Sequence, residues 1–447
     1  MMKKTRQLGV IFFPAYDWAI SPTHPEREER LLYTQDQLRE EGIFDLPNIS
    51  EFKPEIAANA DFDRTHFCFP GPDDVVTESH RIAAGGAIRA ARLVMEKEVD
   101  RAFALVRPPG HHAMKVVHGN RGFCNVNNEA VMIEFIREHY GPKRIAIVDT
   151  DCHHGDGTQD IYWHDPEVLF ISLHQDGRTL YPGSGFTDEL GGPTARGRTI
   201  NIPLPPNTSD EGFLYVIDHL VKPILEDFKP ELIINSAGQD NHYGDPITNM
   251  NFSATGYAEL NHRLNPDIAV LEGGYSIQGA LPYVNLGIVL AMAGLDYSAV
   301  REPDYDPEAL RQDPQISEYI KKLCELVRKN YFSPPPLKVK PNQYDTRSKM
   351  VYYDTDGISD QQVEQVMVCP DCAGIRHLIS KTTRNGTCMG IEIPFHACQR
   401  CRDEGYRLLN EARRDFKGRA VKFINRRDKE YIALNEFELT PMGRYYF

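Results

Sequence analysis

The sequence predicts an α/β fold, with a parallel sheet covered by helices, followed by a small separate unit at the C-terminal end. From Leu8 to about Asn330, short β-branched runs alternate with helix-like segments, as in a parallel sheet with helices on its faces. Several runs are almost continuously apolar, as expected for strands buried on both faces. Beyond a proline-rich stretch, the composition changes to clustered cysteines and many arginines, which marks the second unit.

The elements of the first unit follow from hydrophobic spacing. Six short, β-branched segments are bounded by turn-forming residues, and we predict each as a strand. Two longer segments have helical spacing of their apolar residues, and we predict them as helices. The predicted strands are Leu8–Phe13, Arg101–Val106, Arg144–Asp149, Val168–Leu173, Glu231–Asn235 and Asp267–Leu271, and the predicted helices are Thr77–Glu96 and Glu129–Glu138.

The chain of 447 residues divides at a proline-rich linker. Ser333 is followed by three prolines, and Lys338, Lys340 and Pro341 continue a stretch typical of a stiff, solvated linker. The predicted organisation is a large first domain at 1–330, a linker at 331–343 and a small second domain with a basic tail at 344–447.

Composition and charge limit the class of protein. Hydrophobic residues make up 41% of the chain and charged residues 26%, which is typical of a soluble globular protein with an enzyme-sized core. The formal net charge of −14 disfavours binding of the whole molecule to a nucleic-acid backbone and favours cationic substrates.

The N-terminal segment and the cysteines indicate the compartment. Lys3, Lys4 and Arg6 precede an apolar run from Leu8, but the run is too short for a signal peptide and Asp17 interrupts it. No stretch approaches the roughly 20 apolar residues of a membrane helix, so we predict no membrane interaction. The nine cysteines are an odd number and four form two pairs, which favours metal binding in a reducing cytoplasm over disulfides.

Polar motifs follow four of the predicted strands, where the catalytic groups of open α/β sheets lie. "RPPGHHA" follows the strand ending at Val106, and "DTDCHHGDG" begins where the next strand ends. "SAGQDNHYGDP" and "EGGY" follow two later strands, so four strand ends converge on one edge. The candidate side chains of these motifs are His111, His112, Asp149, Asp151, His153, His154, Asp156, Asp240 and Tyr275.

Two acids and one histidine of this set have the spacing of metal ligands. Residues two apart in an extended segment point the same way, so Asp151 and His153 can present an oxygen and a nitrogen to one ion. Asp240 would be the third ligand and would leave a tetrahedral position open for water, as in a catalytic zinc site. Because zinc can lower the pKa of bound water to about 7, the predicted nucleophile is water and not a side chain.

The motifs resemble, in order and wording, those of the histone deacetylase family, which includes acetylpolyamine amidohydrolases and acetoin-utilisation proteins. The resemblance runs from about Leu8 to Leu295 and covers "HPERE", "PPGHHA", "GFCNVNN", "VDTDCHHGDGT", "LYPGSG" and "LEGGY". It implies the arginase/deacetylase α/β fold, a central parallel sheet of about eight strands flanked by helices, with a zinc pocket at its C-terminal edge. It also makes residues 1–330 a deacetylase catalytic domain.

The resemblance assigns roles to the candidate residues. It implies Asp151, His153 and Asp240 as the ligands of a catalytic zinc, in agreement with their spacing. His112 would act as the general base and then protonate the leaving amine, while His111 would stabilise charge.

Three further residues support the implied chemistry. Asp149 would hydrogen-bond His111 and Asp156 would hydrogen-bond His112, which fixes the histidine tautomers. Tyr275 would donate its hydroxyl to the scissile carbonyl.

The resemblance also implies a narrow tunnel and a second cation. Two aromatic residues would form walls around an acyl-lysine stem, and the tyrosine stands where the family usually has a second phenylalanine. The implied substrate-binding residues are Gly122, Phe123, Tyr181 and Gly273. The implied potassium site is formed by side chains of Asp149, Asp151 and Ser172 and by backbone carbonyls near His153 and Leu173.

Three positions bear on substrate choice. Gln239 precedes the third zinc ligand and is expected to shape the pocket floor. Ile247 stands where one polyamine-selective branch of the family carries a glutamate, which makes a polyamine substrate less expected. Asp73 or Asp74 is the candidate for an acid on the pocket rim that binds the substrate backbone.

The leading hypothesis is zinc-dependent hydrolysis of acyl-lysine in proteins or peptides, with acetylpolyamines or other small acylated amines as the neighbouring alternative. A non-catalytic scaffold that binds acylated ligands is a hypothesis of another class, although every residue needed for turnover is present. An arginase-like dimanganese hydrolase is a third, but the histidine pair fills space that a second manganese would need. The sequence indicates neither acyl-chain preference nor oligomeric state.

The C-terminal unit carries a second metal motif. Its two CxxC pairs have a separation typical of zinc ribbons, and Cys388 and His396 are substitutes if one of the four is not a ligand. Four thiolates leave no open position, so this zinc would fold a unit too small to be stable by apolar burial alone. The predicted ligands of this structural zinc are Cys369, Cys372, Cys398 and Cys401.

The end of the chain is basic, and its arginines and lysines outnumber its acids. Such a run can contact nucleic acid or an acidic protein partner, although a solvated face is its more common role. The basic residues are Arg413, Arg414, Lys417, Arg419, Lys422, Arg426, Arg427 and Lys429. A lone buried histidine or a free cysteine is usually a packing residue. We therefore predict structural roles for His164, His219, His262, Cys124 and Cys152.

Overall fold

The computed structural model describes residues 6–337, 339–435 and 438–439. Lys3, Lys4 and Lys338, and the ends of the predicted domains at Met1 and Phe447, lie outside the described residues. None of the helices within these ranges combines the length and apolar character needed to cross a membrane.

Eight parallel strands form the central sheet, and two short strands pair separately from it. The predicted α/β fold with a parallel sheet of about eight strands is therefore confirmed. In chain order the strands of the first unit are β1 (Leu8–Phe13), β2 (Ile49–Phe52), β3 (Phe67–Cys68), β4 (Arg101–Val106), β5 (Val116–Val117), β6 (Ile145–Asp149), β7 (Val168–Gln175), β8 (Thr199–Leu204), β9 (Leu232–Ala237) and β10 (Ile268–Leu271).

Helices cover both faces of the sheet. Side chains on successive residues of each strand point to opposite faces, so each strand contributes to a core on either side. On β1, Val10 packs in one core with Leu38 and Phe213, whereas Ile11 packs in the other core with Ala87 and Ala130. The helices are α1 (Leu32–Glu40), α2 (Asn59–Thr65), α3 (Pro72–Val75), α4 (Glu78–Met95), α5 (Asn128–Tyr140), α6 (Asp156–Tyr162), α7 (Asp210–Val216), α8 (Lys222–Phe228), α9 (Ala254–Leu264), α10 (Leu281–Ala293) and α11 (Pro314–Phe332).

The strand order brings the four polar motifs together. The sheet runs β2-β1-β4-β10-β9-β6-β7-β8, so the four strands that precede the motifs, β4, β10, β9 and β6, are consecutive neighbours. All of these neighbours are parallel, and their carboxyl ends lie at the same edge. The motifs consequently meet at the centre of that edge.

The C-terminal unit is a six-stranded sheet with one helix. Residues between Phe332 and β11 have neither helix nor strand among those described, and Arg196 Nε donates to the Pro335 carbonyl at 2.9 Å. The sheet is antiparallel except for one parallel pair, formed by the strands that begin at Gly386 and at Ala420 and connected by the helix. The elements are β11 (Tyr344–Tyr353), β12 (Ile358–Met367), β13 (Arg376–Thr382), β14 (Gly386–Ile393), α12 (Gln399–Asp415), β15 (Ala420–Asn425) and β16 (Glu430–Asn435).

The two units share buried surface. Phe67 and Val116 of the first unit pack with Leu378 and Ile424 of the second in one apolar cluster. Tyr353 of the second unit donates its hydroxyl to the Val116 carbonyl at 2.8 Å. The C-terminal unit is thus packed directly against the larger unit.

The basic residues of the C-terminal unit do not form one solvated face. Lys422 Nζ lies 3.1 Å from Asp63 Oδ1, and Arg426 Nε lies 2.7 Å from Glu134 Oε2, across the boundary between the units. Arg426 also pairs with Glu392 of its own unit. Lys422 and Arg426 are buried against acidic partners and so do not contribute to a surface for nucleic acid.

Replacing Arg426 by methionine is expected to lower the free energy of unfolding by about 2–3 kcal/mol, because two buried glutamates lose a partner while other cations still neutralise part of their charge. Thermal and denaturant unfolding measure this change. Arg414→Met, at an exposed position of α12, is the matched control and should have little effect. Equal stability of the two variants would contradict a buried ion-pair network between the units.

Candidate active site

The structure places the three predicted zinc ligands together at the C-terminal edge of the central sheet. Backbone groups orient both carboxylates: Gly273 N–H donates to Asp151 Oδ2 and Cys152 N–H donates to Asp240 Oδ1, both at 2.7 Å, and His153 N–H donates to Asp151 Oδ1 at 2.8 Å. Asp151 Oδ1 and Asp240 Oδ2 also lie 3.2 and 2.8 Å from His153 Nδ1. Three potential ligand atoms therefore face one point.

The geometry and chemistry of this group fit a single zinc ion. Ligand atoms about 2.0–2.2 Å from a tetrahedral zinc lie about 3.3 Å from one another, close to the separations in this group. All three residues are buried, and two adjacent buried carboxylates are costly unless a cation balances them. The described residues add no fourth His, Cys, Asp or Glu to the group, which leaves room for water.

The two adjacent histidines are each held by one carboxylate. Their ring centroids are 4.1 Å apart. His111 Nδ1–H donates to Asp149 Oδ2 at 3.1 Å, and His112 Nδ1–H donates to Asp156 Oδ1 at 2.8 Å. Donation through Nδ1 leaves the Nε2 atom of each ring for the pocket, which both rings line.

The pKa values of the two histidines shift in opposite directions. Burial opposes the charged form of His111, but the carboxylates of Asp151 and Asp149 outweigh it and raise the pKa of His111 to about 9. Burial, followed by the nearby His111, lowers the pKa of His112 to about 3 against the pull of Asp156. Neighbouring groups whose pKa values differ in this way take different roles, so His111 is cationic and His112 is neutral.

The loop after β10 holds Tyr275 over the pocket. Asp245 Oδ2 accepts from the Tyr275 N–H at 2.8 Å, and the Arg30 guanidinium lies 5.0 Å from the centre of the tyrosine ring. Gly274 has a φ of +119°, and a Cβ there would lie 2.8 Å from the Cβ of Gln239, so the turn requires glycine. Burial raises the pKa of Tyr275, which keeps its hydroxyl protonated as a donor.

Aromatic side chains form the walls of the pocket. The Phe123 ring meets the Tyr275 ring edge to face at 5.7 Å, and the Tyr181 ring meets the His112 ring at 5.1 Å. Gly122 and Phe123 both have positive φ, +53° and +69°, which is uncommon for a bulky residue and aims the phenyl ring. The described residues lining the pocket are Pro109, His111, His112, Gly122, Phe123, His153, Leu180, Tyr181, Ile247, Tyr275 and Asp354.

Comparisons with known proteins decide the family. The histone deacetylase domain family matches residues 72–286. A probable deacetylase of Archaeoglobus fulgidus is 48% identical over 332 residues, which are 68% of this chain and 91% of the relative. The chain belongs to the histone deacetylase family.

Other relatives extend this result. The histone deacetylase-like amidohydrolase of Pseudomonas aeruginosa is 36% identical over 244 residues, covering 53% of this chain and 63% of that protein. The crystal structure of the HDA15 HD domain superimposes with a TM-score of 0.62 at 26% identity, covering 73% of this chain and 96% of the other. Histone deacetylase family membership makes the protein a hydrolase of the deacetylase and amidohydrolase class.

Three of the residues predicted to bind potassium, Asp149, Ser172 and Leu173, lie on neighbouring strands, and the other two, Asp151 and His153, lie in the loop after β6. Asp149 of β6 and Ser172 of β7 are partners in the parallel register, and Leu173 follows. His174 Nε2–H donates to the Gly185 carbonyl at 3.0 Å, so its Nδ1, 2.8 Å from Ser172 Oγ, accepts the serine hydroxyl hydrogen. The serine oxygen therefore keeps lone pairs for a cation.

Two expectations about the pocket of this histone deacetylase family member are corrected. Asp73 pairs with Arg81 at 2.8 Å, and neither Asp73 nor Asp74 lines the pocket. The carboxylate that lines the pocket belongs instead to Asp354 of the C-terminal unit. Gln239 packs behind the Gly274 turn and does not line the pocket, because its amide donates to Asn285.

Three residues that contact the site, Arg121, Glu272 and Asp354, have no role predicted from the sequence. Arg121 Nη1 donates to Asp156 Oδ1 at 2.8 Å, so the partner of His112 is held from both sides. Glu272 Oε2 accepts from the Gly110 and His111 N–H groups at 2.7 and 2.9 Å and fixes the histidine loop. Glu272 lies inside the motif "LEGGY" and Arg121 directly precedes "GFCNVNN", so both were close to a sequence signal, whereas Asp354 lies outside the match to the family.

The four cysteines of the two CxxC pairs form a second cluster. Cys369 Sγ lies 3.7 Å from Cys398 Sγ, and Cys372 Sγ lies 3.4 Å from Cys401 Sγ. Burial opposes the Cys369 thiolate, but hydrogen bonds from the Asp371 N–H and from Arg400 outweigh it and lower the pKa of Cys369 to about 6. The cluster fits a small zinc-binding domain, and it includes neither Cys388 nor His396.

Proposed function

We propose that the protein is a zinc-dependent deacetylase that hydrolyses the amide of acyl-lysine in proteins or peptides. The convergence of Asp151 Oδ1, Asp240 Oδ2 and His153 Nδ1 at a pocket lined by His112 and Tyr275 carries this proposal. Zinc held by these three residues would polarise the substrate carbonyl and activate water at neutral pH.

His112 is assigned the proton transfers. Its Nδ1–H is fixed on Asp156, so Nε2 takes a proton from the attacking water and returns it to the leaving amine. His111, cationic between Asp149 and Asp151, stabilises the negative charge that develops. The Tyr275 hydroxyl donates to the carbonyl oxygen as that oxygen becomes negative.

The aromatic walls of the pocket favour a substrate in which a narrow, apolar chain leads to the acylated amine. Phe123 and Tyr181 would hold the methylene chain between them. Gly122 and Gly273 would let the backbone pass close to His112 and to the carboxylates of Asp151 and Asp240, where a Cβ would clash. We include a potassium ion at Asp149, Asp151, His153, Ser172 and Leu173 in the proposal. All nine cysteines are free thiols, and those that lie close to one another would oxidise in a secretory compartment. Their free state supports a cytoplasmic location.

A small acylated amine is the second candidate substrate, and the carboxylate of Asp354 at the pocket mouth favours it, because an acetylpolyamine carries a second positive charge. Ile247 lines the pocket without a charge and gives that amine no further partner. A basic acyl-lysine peptide satisfies the same carboxylate and also fits the aromatic walls.

A substrate panel tests the proposal. The full-length protein is incubated with an acetyl-lysine peptide, a propionyl-lysine peptide and acetylputrescine, and release of free carboxylic acid is measured. We expect kcat/KM to be higher for the acetyl-lysine peptide than for acetylputrescine. Turnover of acetylputrescine alone would transfer the proposal to small amines, and binding without release from any substrate would support a scaffold.

A further inference from the structure

A turn of the C-terminal unit reaches the loop that carries the Phe123 wall. Residues 354–357 connect β11 to β12 and will be called the rim hairpin. Asp356 Oδ2 accepts from the Asn120 N–H at 2.6 Å. It also lies where a Cβ on Gly119 would come within 2.3 Å of it. The rim hairpin is therefore seated closely on residues 119–122.

Asp354 of the rim hairpin holds the turn next to the pocket. The Gly122 N–H donates to Asp354 Oδ1 and Oδ2 at 3.1 and 3.3 Å. Gly122 and Phe123 have the positive φ values that aim the phenyl ring, and such a conformation persists only where surrounding contacts fix it. Asp354 supplies one of those contacts from outside the part of the chain that matches the family.

The carboxylate of Asp354 also faces the mouth. Asp354 lines the pocket and is half-buried, so solvent and substrate reach it. The remaining described lining residues are aromatic, aliphatic, glycine, proline or histidine side chains. The nearby cation, Arg121, forms its salt bridge with Asp156 and attracts Asp354 only from farther away, and the Tyr181 hydroxyl donates to Asp354, so the Asp354 carboxylate has no salt-bridge partner of its own among the described residues. A positive charge on a substrate would therefore be attracted to Asp354 at the mouth.

We propose that the C-terminal unit forms one wall of the active-site mouth, where Asp354 positions the Gly122–Phe123 turn and selects acyl-amine substrates that carry a positive charge beside the acylated side chain. This inference rests on the proposed acyl-lysine hydrolysis. It makes the zinc-ribbon-like unit part of the substrate site.

Two acetyl-lysine peptides that differ only in the residues flanking the acetyl-lysine, arginine in one and glutamate in the other, test the proposal with full-length variants. Asp354→Asn keeps an oxygen that can accept from the Gly122 N–H but removes the charge. We expect it to lower the arginine-to-glutamate ratio of kcat/KM about three- to fivefold, as for a partly exposed ion pair, mainly through a higher KM for the arginine peptide. Added salt screens charge and should also lower the arginine-to-glutamate ratio of kcat/KM of the wild type.

Asp354→Ala also removes the hydrogen bond to Gly122, so it should raise KM for both peptides and lower kcat. Asp403→Asn, on the exposed side of α12 in the same unit, removes the same charge and should match the wild type. A wild-type ratio that survives in Asp354→Asn would overturn the inference while leaving the hydrolysis standing. Failure of the wild type on both peptides would instead overturn the proposed function.

Discussion

Replacing Tyr275 by phenylalanine is expected to lower kcat by about 10²–10³-fold with little change in KM. The hydroxyl donates to the carbonyl oxygen mainly in the transition state, where that oxygen becomes negative, so its loss affects the chemical step more than substrate binding. The phenylalanine ring keeps the contacts with Phe123 and Arg30, so the fold of the loop should be retained.

Steady-state release of acetate from an acetyl-lysine peptide measures this effect, and circular dichroism checks the fold. Tyr319→Phe is the matched control, since it removes a hydroxyl from an exposed tyrosine of α11 and should not change kcat. Equal kcat values for wild type and Tyr275→Phe would show that the hydroxyl has no part in the reaction.

Replacing Cys401 by serine is expected to unfold the C-terminal unit, because the binding energy of a structural zinc, on the order of 10 kcal/mol in small domains, is folding energy. Cys401 is fully buried in the first turn of α12, which packs its face of Gly405, Leu409 and Ala412 against the sheet. The rim hairpin belongs to that sheet, so the loss should also raise KM for acetyl-lysine peptides.

Zinc content, unfolding curves and KM are measured together on the full chain. Cys401→Ser should contain one zinc ion fewer than the wild type and should unfold at a lower temperature and denaturant concentration. Cys388→Ser, a buried cysteine that lies outside the cluster, should keep its zinc. Full zinc content and unchanged stability in Cys401→Ser would show that the four sulfurs do not hold a structural metal.

The sequence predicted the part of the fold that local patterns specify. The strand Arg101–Val106 has the predicted bounds, and the predicted helix Thr77–Glu96 differs from α4 only by its two capping residues. The three candidate zinc ligands could be predicted for the same reason, since their spacing and their positions at strand ends are local features. The strand Ile49–Phe52 was not predicted, because it is short and its two central residues are exposed.

The C-terminal unit was less predictable, because its structure depends on contacts between distant residues. The helix Gln399–Asp415 is rich in charged residues and buries only a narrow stripe, so the spacing of its apolar residues does not identify it as a helix. Asp354 precedes an Asp-Gly pair that is typical of a hairpin turn. No local pattern could indicate that this hairpin lies on the loop of Gly122.

The close fit of Asp356 against Gly119 constrains how related sequences can change. A Cβ at position 119 would come within 2.3 Å of the Asp356 carboxylate, so a larger residue there is accommodated if the carboxylate moves and loses its hydrogen bond with the Asn120 N–H, or if residue 356 is smaller. We therefore expect the two positions to covary among relatives that carry the C-terminal unit, and position 119 to accept larger residues in relatives that lack it.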